Sequence, residues 1–278
     1  TTQIGFNIGV NTRIFSNIDD AINNLPKDTV FILSTPPKYH VRDILKIVKS
    51  NRHVYVEKPI LVENTYLNEI VEICFHNNLV LVEMFMYKHT EMYKKFIEIW
   101  NKNLCSIEVL EIKFYIPSIP NNTFRTNKDI FDSSIFDIGC YPLSLLAELD
   151  INLTDLSIES AIYNNPNDQS FMISDRKSKI KTIISFGVGY DYQNYVNVKL
   201  EDNKEIKFKP FFNGKSTLKT IEDYNYDNIT ITKSDIFTDN NGFKKMFNQN
   251  KDYWLLNQNK RFQKIKEVTN MLEKISLE

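Results

Sequence analysis

Residues 53–60 read HVYVEKPI, an apolar stretch of strand character that runs directly into an acid, a base and a proline. Charged residues at the end of a buried strand are often just solvated. In an open α/β sheet, however, ligands bind in the crevice beyond the carboxyl ends of the strands. A lysine in such a crevice can hold or pass a proton if partial burial lowers its pKa. Lys58 is therefore the first residue whose position could do chemistry, with Glu57 and Pro59 beside it. His40, His53, His76 and His89 do not cluster with cysteines or carboxylates at ligand spacing, so no metal site is expected. His40 itself reads as a structural residue that positions nearby backbone.

The elements that must position Lys58 alternate along the chain. TVFILST (29–35) is a short apolar run closed by Pro36-Pro37, as expected of a strand buried on both faces. Val41, Ile44, Leu45 and Val48 then recur at i, i+3, i+4, i+7, one face of a helix. HVYVEKP is the second strand. Leu67, Ile70, Val71 and Cys74 repeat the helical spacing, with Asn64 as the expected N-cap. LVLVEMFM (79–86) is the third strand. Strand and helix joined by short connections imply right-handed crossovers and a parallel sheet over residues 1–87. From about 107 the pattern changes: IEVLEIKFYI (107–116), LSIESAIY (156–163), KTIISFGVG (181–189), YVNVKL (195–200) and EIKFKPFF (205–212) are strand-like with few helices between them. A largely antiparallel sheet follows. Helices are expected over 139–149 and, as a long amphipathic stripe from Trp254 to Ile275, over 251–275.

Bulk properties exclude several classes. A chain of 278 residues, 42% hydrophobic, can bury a substantial core in one or two domains. Lys plus Arg (34) balance Asp plus Glu (35), so neither a nucleic-acid partner nor a cationic one is indicated. Cys74, Cys105 and Cys140 are odd in number and widely spaced, which fits a reducing cytoplasm better than a disulfide framework. No apolar run approaches the roughly 20 residues of a membrane span, and no signal peptide is read, so a cytoplasmic protein without membrane contact is expected.

Taken in order, several stretches resemble the Gfo/Idh/MocA oxidoreductases, which use a nicotinamide cofactor on sugars and related polyols. STPPKYH (34–40) is similar to the family's strand-end Thr-Pro followed by a histidine opening a helix. HVYVEKP (53–59) carries the Glu-Lys-Pro signature, EMFMYKHT (83–90) is similar to the segment linking the two domains, and FDIGCYP (136–142) to the Asp-x-Gly-x-(His/Tyr) segment. FGVGYDYQNY (186–195) looks like a sheet strand of the family's C-terminal domain. Each motif alone is weak; the ordered set is not. The resemblance implies an N-terminal Rossmann-like parallel sheet and a C-terminal domain with a large, mainly antiparallel open sheet, α/β plus α+β. Residues 1–90 would form the nucleotide-binding domain, 91–250 the substrate and oligomerisation domain, and 251–278 a C-terminal helix.

The resemblance also implies roles. NAD or NADP would bind against Ser34, Thr35, Pro36, Pro37, His40, Glu57, Lys58 and Glu83. Hydride transfer to or from a hydroxyl or keto carbon of a sugar or nucleotide-sugar needs a proton donor or acceptor beside the cofactor ring. Lys58 falls at the family's acid/base, with Asp137 as hydroxyl orienter and Tyr141 as proton relay. A spacing of four at a helix entrance puts Asp137 and Tyr141 on one side, although Asp137 could equally be an N-cap. Lys88, Arg125, Asp137 and Tyr141 are the substrate-binding candidates, and Gly139 would let the backbone approach the ligand. A homo-oligomer through the C-terminal sheet is implied.

Three departures stand beside the matches. The chain has no GxGxxG, and Gly5 and Gly9 in IGFNIG are spaced differently. Residues 10–25 align with the stretch before the fourth Rossmann strand, so the first βαβ unit, at least roughly 30 residues, is expected to be lacking. That raises a second reading, a non-catalytic or truncated homologue serving as a binding or assembly subunit. Ser133 and Ser134 stand where glycines are usual before the Asp, and His89-Thr90 where a proline is common.

Overall fold

The computed structural model describes residues 13–61, 64–121, 123, 125, 134–165, 168–175, 178–213, 219–225, 230–237 and 241–276. The IGFNIG stretch and Ser133 lie outside them. After a short helix α1 (Ile18–Asn24), strands β1 (Phe31–Leu33), β2 (Val54–Val56) and β3 (Leu81–Glu83) form a parallel sheet in the order β1-β2-β3. Helices α2 (His40–Lys49) and α3 (Leu67–His76) make the two crossovers. Val54, Tyr55 and Val56 are all buried, which is why this strand reads as a continuous apolar run rather than an alternation. The α2 stripe buries Ile44, Ile47 and Val48 completely against that sheet. Helix α3 begins at Leu67, not at the expected cap. Asn64 instead sends its amide to the Lys266 carbonyl and Asn270, and its backbone N–H to Glu273 at 2.9 Å, tying the loop to the last helix.

Helix α4 (Glu91–Asn103) follows, capped by Thr90, whose hydroxyl accepts from the Tyr93 N–H. Then β4 (Ile107–Ile116) enters an eight-stranded sheet. Its other members are β5 (Ser157–Asn165), β6 (Asp168–Asp175), β7 (Lys181–Val188), β8 (Gln193–Leu200), β9 (Lys204–Lys209), β10 (Lys219–Asn225) and β11 (Thr230–Phe237). The order is β11-β10-β9-β8-β4-β7-β6-β5. β4 and β7 run parallel, and every other neighbouring pair is antiparallel. The expected α/β plus α+β architecture is the observed one. One face of this sheet, through Leu110, Ile112, Phe114, Ile184 and Phe186, packs on helix α5 (Ser134–Glu148). The α5 helix starts before the expected 139, and Pro142 inside it removes the N–H that would pair with the Ile138 carbonyl.

The expected single C-terminal helix is interrupted. α6 (Gly242–Phe247) and α7 (Lys251–Leu255) precede α8 (Gln258–Ser276), with Asn257 between the last two in left-handed backbone at φ 67°. α8 ties both halves together. Phe262 and Ile265 enter the core under the parallel sheet, while Val268, Met271, Leu272 and Ile275 enter the core of the large one. Among the described residues no helix is long and apolar enough to cross a membrane, and no group of three or more His, Cys, Asp or Glu could hold a metal ion.

Candidate functional site

The carboxyl ends of β1, β2 and β3 release three loops on the same side of the parallel sheet. Two are pinned to each other by His40 at the start of α2. Its Nε2 lies 2.7 Å from the Thr35 carbonyl oxygen and its Nδ1 2.9 Å from the Pro59 carbonyl oxygen. Burial lowers its pKa, and the two carbonyls only partly offset that. The structural role expected of His40 is thus a cross-link between the Ser34–Pro37 turn and the Glu57–Pro59 turn. Glu83 secures the same turn from the third strand, its carboxyl accepting the Ile60 N–H at 2.9 Å. Burial pushes Glu83 up to about 7, with Ile60 and the nearby lysines Lys88 and Lys58 pulling the other way. The Lys58–Pro59 peptide is cis.

Lys58 extends from this turn into the other half of the molecule. Its ammonium donates to the Asp137 carboxylate and, at 2.9 Å, to the Asp137 carbonyl oxygen. Both side chains of the pair are about nine-tenths buried. Arg125 closes the other carboxylate oxygen at 2.7 Å. Asp137 sits inside the first turn of α5 and is spent on these two cations, not on capping. Tyr141, one turn on, lies beneath the ammonium, with the Lys58 nitrogen 4.6 Å from its ring centroid. The ring is boxed by Phe85, Phe114 and Phe212 at 5.2–5.7 Å, and its hydroxyl faces Met86 Sδ at 3.7 Å.

The electrostatics reverse one expectation. Burial was expected to lower the Lys58 pKa, and by itself it does. The Asp137 carboxylate outweighs it, so Lys58 lies above the ordinary lysine range and stays an ammonium at neutral pH. Burial alone would raise Asp137, but Lys58 and Arg125 hold it below its ordinary value. Burial pushes Tyr141 up to about 12, with Lys58 pulling back, and it also raises Glu57. The arrangement keeps a fixed positive charge and a neutral phenol side by side where the parallel sheet meets α5. Such a pair can stabilise negative charge developing on a carbonyl oxygen and hand it a proton.

The structure therefore brings Lys58, Asp137, Tyr141 and Arg125 together across the two halves, over a sequence separation that no spacing rule spans. It does not bring Lys88 to them. Lys88 instead pairs with Glu148 at 2.9 Å and lies over the Phe85 ring, 4.7 Å from its centroid. Nor does Gly139 face a crevice. A Cβ there would stand 2.7 Å from the Phe186 ring and 3.5 Å from Leu272, so its small size serves the packing of α5 between sheet and α8. Two residues were missed by sequence reasoning. Glu148 joins Lys88 at 2.9 Å and Lys264 at 2.6 Å, and Ser144 meets the buried Tyr87 hydroxyl at 2.8 Å. Their spacing from Tyr141 along α5, three and seven residues, was the available signal.

No family model matches the chain. A dTDP-3,4-didehydro-2,6-dideoxy-alpha-D-glucose 3-reductase of Actinomadura kijaniata is 22% identical over 173 residues, 60% of this chain and 51% of the relative. An enzyme of the same description from Saccharopolyspora spinosa is 27% identical over 120 residues, 41% of this chain and 35% of the relative. The chain spans about half the length, or less, of the curated relatives it matches. Among solved structures, a 3-ketoreductase from Actinomadura kijaniata in complex with NADP and TDP-benzene superposes with a TM-score of 0.72 at 16% identity, covering 90% of this chain and 76% of the other. An aldose-aldose oxidoreductase from Caulobacter crescentus complexed with glycerol superposes with a TM-score of 0.69 at 13% identity, covering 93% and 78%. The relatives and neighbours are sugar ketoreductases and oxidoreductases, and the shared feature at these identities is the fold.

Proposed function

We propose that the chain is a Gfo/Idh/MocA-type oxidoreductase whose crevice serves the nicotinamide-dependent reduction of a keto group on a nucleotide-linked sugar. The observation that carries this reading is the Lys58 ammonium, fixed by Asp137 over the Tyr141 ring at the carboxyl ends of a parallel sheet. The named relatives, which are dTDP-sugar 3-reductases, support the substrate class.

The fit to a nicotinamide cofactor rests on the donor set. Ser34, Thr35, Glu57 and Lys58 put hydroxyls, a carboxyl and an ammonium at adjoining strand ends, a set suited to a ribose and a carboxamide. Pro36, Pro37 and the His40 cross-link would hold that wall rigid, with Glu83 behind it. No Gly-rich turn lies among the described residues, so the fit covers the nicotinamide end only. When bound, the cofactor would supply the hydride. Lys58 would polarise the substrate carbonyl, the Tyr141 hydroxyl would deliver the proton, and Asp137 with Arg125 would keep the ammonium aimed. A role for Arg125 on the substrate itself is compatible with its partly exposed side chain.

A second reading is a binding or assembly subunit that keeps the Lys58–Asp137–Tyr141 cluster without turnover. The exposed Ile162 and Met172 on the outer face of the large sheet support a homo-oligomer through that face, and the three free cysteines support a cytoplasmic setting. Calorimetric titration with NADPH, NADH and a dTDP-linked sugar tests the proposal. Saturable binding of a nicotinamide cofactor and of the nucleotide sugar is expected. Binding of the sugar alone would favour the second reading, and binding of neither would refute both.

A further inference from the structure

A cavity of about 560 Å³, lined by Phe85 but not by Lys58, Asp137 or Tyr141, has no use in the proposed reaction. It runs along β3, and α8 supplies Lys260, Arg261 and Lys264 to its wall, with Lys88 meeting Lys264 at Glu148 and Tyr93 and Trp254 as aromatic lining. Its rim includes Tyr253 and Leu256, both largely exposed, so the space is open to solvent.

The charges around this cavity do not balance. Lys88 and Lys264 share one carboxylate, Glu148, at 2.9 and 2.6 Å. Lys260 is matched by Asp150 at 3.0 Å. Arg261 has no carboxylate within ion-pair distance among the described residues. One of its nitrogens donates to the Trp254 carbonyl, its Nε is buried without an acceptor, and its guanidinium lies 5.4 Å from the Trp254 ring centroid. Three cations (Lys88, Lys264 and Arg261) therefore face one ionised carboxylate, Glu148. Glu83, which also lines the space, is only part-ionised near neutral pH. A half-buried guanidinium without a counter-charge is costly, and an anion from solvent removes that cost. The same wall offers aromatic and aliphatic surface through Tyr93, Trp254, Ile97 and Val268.

We propose that this cavity binds a small organic anion, a carboxylate or phosphate monoester on a flat apolar body, with Arg261 and Lys264 holding the charged group and the Tyr93–Trp254 side holding the body. The inference does not rest on the reaction proposed for the Lys58 crevice. A fork-shaped guanidinium suits either anion, because both present paired oxygens.

The chain has two tryptophans, Trp100 and Trp254, so a Trp100→Phe background leaves Trp254 as the sole indole reporter. Titration of that protein with phenyl phosphate and with benzoate should change the Trp254 emission saturably, with phenol and inorganic phosphate each binding more weakly. Arg261→Gln should weaken phenyl phosphate about tenfold or more, the scale of one lost charge-assisted hydrogen bond. Lys264→Gln should weaken it as well, which keeps the test open if the Arg261 variant does not fold. Glu148→Gln should tighten it by releasing two lysines from their shared carboxylate. No saturable change with either probe, phenol binding as well as phenyl phosphate, or affinities indifferent to both Arg261 and Lys264 would overturn the proposal.

Discussion

Glu83→Gln isolates the carboxyl that props the Lys58 turn. The amide keeps an oxygen to accept the Ile60 N–H, so the 2.9 Å contact survives and only the titration is removed. A carboxyl that ionises near 7 when folded and near 4.5 when unfolded loses its proton first in the unfolded chain as pH rises. Below about 4.5 both states are protonated and Glu83 has no pH effect. Between about 4.5 and 7 the native state holds the extra proton, so its contribution falls with rising pH by ~1.4 kcal/mol per pH unit. Above about 7 both states are ionised and the loss is complete, an order-of-magnitude total of about 3 kcal/mol. His40 and His89, whose folded pKa values burial depresses, act oppositely, adding stability above about 6.5 that is lost as pH falls. The quantity to read is therefore the difference between wild type and Glu83→Gln in urea-unfolding free energy, measured from pH 4 to pH 8, in which the histidines cancel. The variant should gain on wild type by about 3 kcal/mol across that range, mostly between pH 5 and 7. Parallel profiles would show that Glu83 ionises normally and that the turn is not held by a buried, protonatable carboxyl.

Other perturbations probe the same account. Asp137→Ala leaves the Lys58 ammonium buried without its carboxylate and should cost about 3–5 kcal/mol in denaturant unfolding; a loss below 1 kcal/mol would show the pair to be solvated. Glu148→Gln should remove an acid-range transition. That carboxylate is held at about 2 by Lys88 and Lys264, after burial has pushed the other way, so its stabilisation is present above about 4.5 and is lost as pH falls towards 2. Gly187→Ala puts a Cβ 2.2 Å from the Gln169 backbone oxygen inside the β6–β7 pairing and should lower the thermal midpoint. Gly139→Ala meets the Phe186 ring instead and should destabilise without changing ligand affinity, the outcome that separates packing from backbone approach.

The parallel sheet was legible because its strands are short apolar runs and its helices carry regular stripes. β2 and β3 are buried on both faces, but the β1 run, expected to be so, leaves Val30 and Ile32 about half exposed. The large sheet was legible only where strands are apolar. β10 (KTIEDYN) and β11 (TITKSDIF), at one edge of the sheet, carry few apolar residues, and nothing in their pattern marks them as strands. α4 was not legible although Met92, Phe96 and Trp100 stand at i, i+4 and i+8, because Ile97 and Ile99 beside them blur the single stripe. The break before α8 was invisible, since the apolar stripe runs through it and only two residues, the extended Leu256 and the left-handed Asn257, interrupt the helix. At the candidate site, Lys58 was marked by its place at a strand end, but Asp137 and Tyr141 were found through a resemblance, not through spacing, because the two segments meet only in three dimensions. The direction of the Lys58 pKa was misjudged for the same reason. Burial can be guessed from an apolar strand, but a carboxylate arriving from 79 residues away cannot.

The most direct test of the central claim follows the hydride. NADPH deuterated at the transferring position of the nicotinamide, incubated with the chain and a dTDP-linked 3-keto sugar, is analysed by mass spectrometry of the sugar product. The account predicts one deuterium on the reduced carbon, abolished by Lys58→Met while binding of the nucleotide sugar persists. An unlabelled, unreduced sugar despite measurable binding of both ligands, or label transfer indifferent to Lys58→Met, would contradict it.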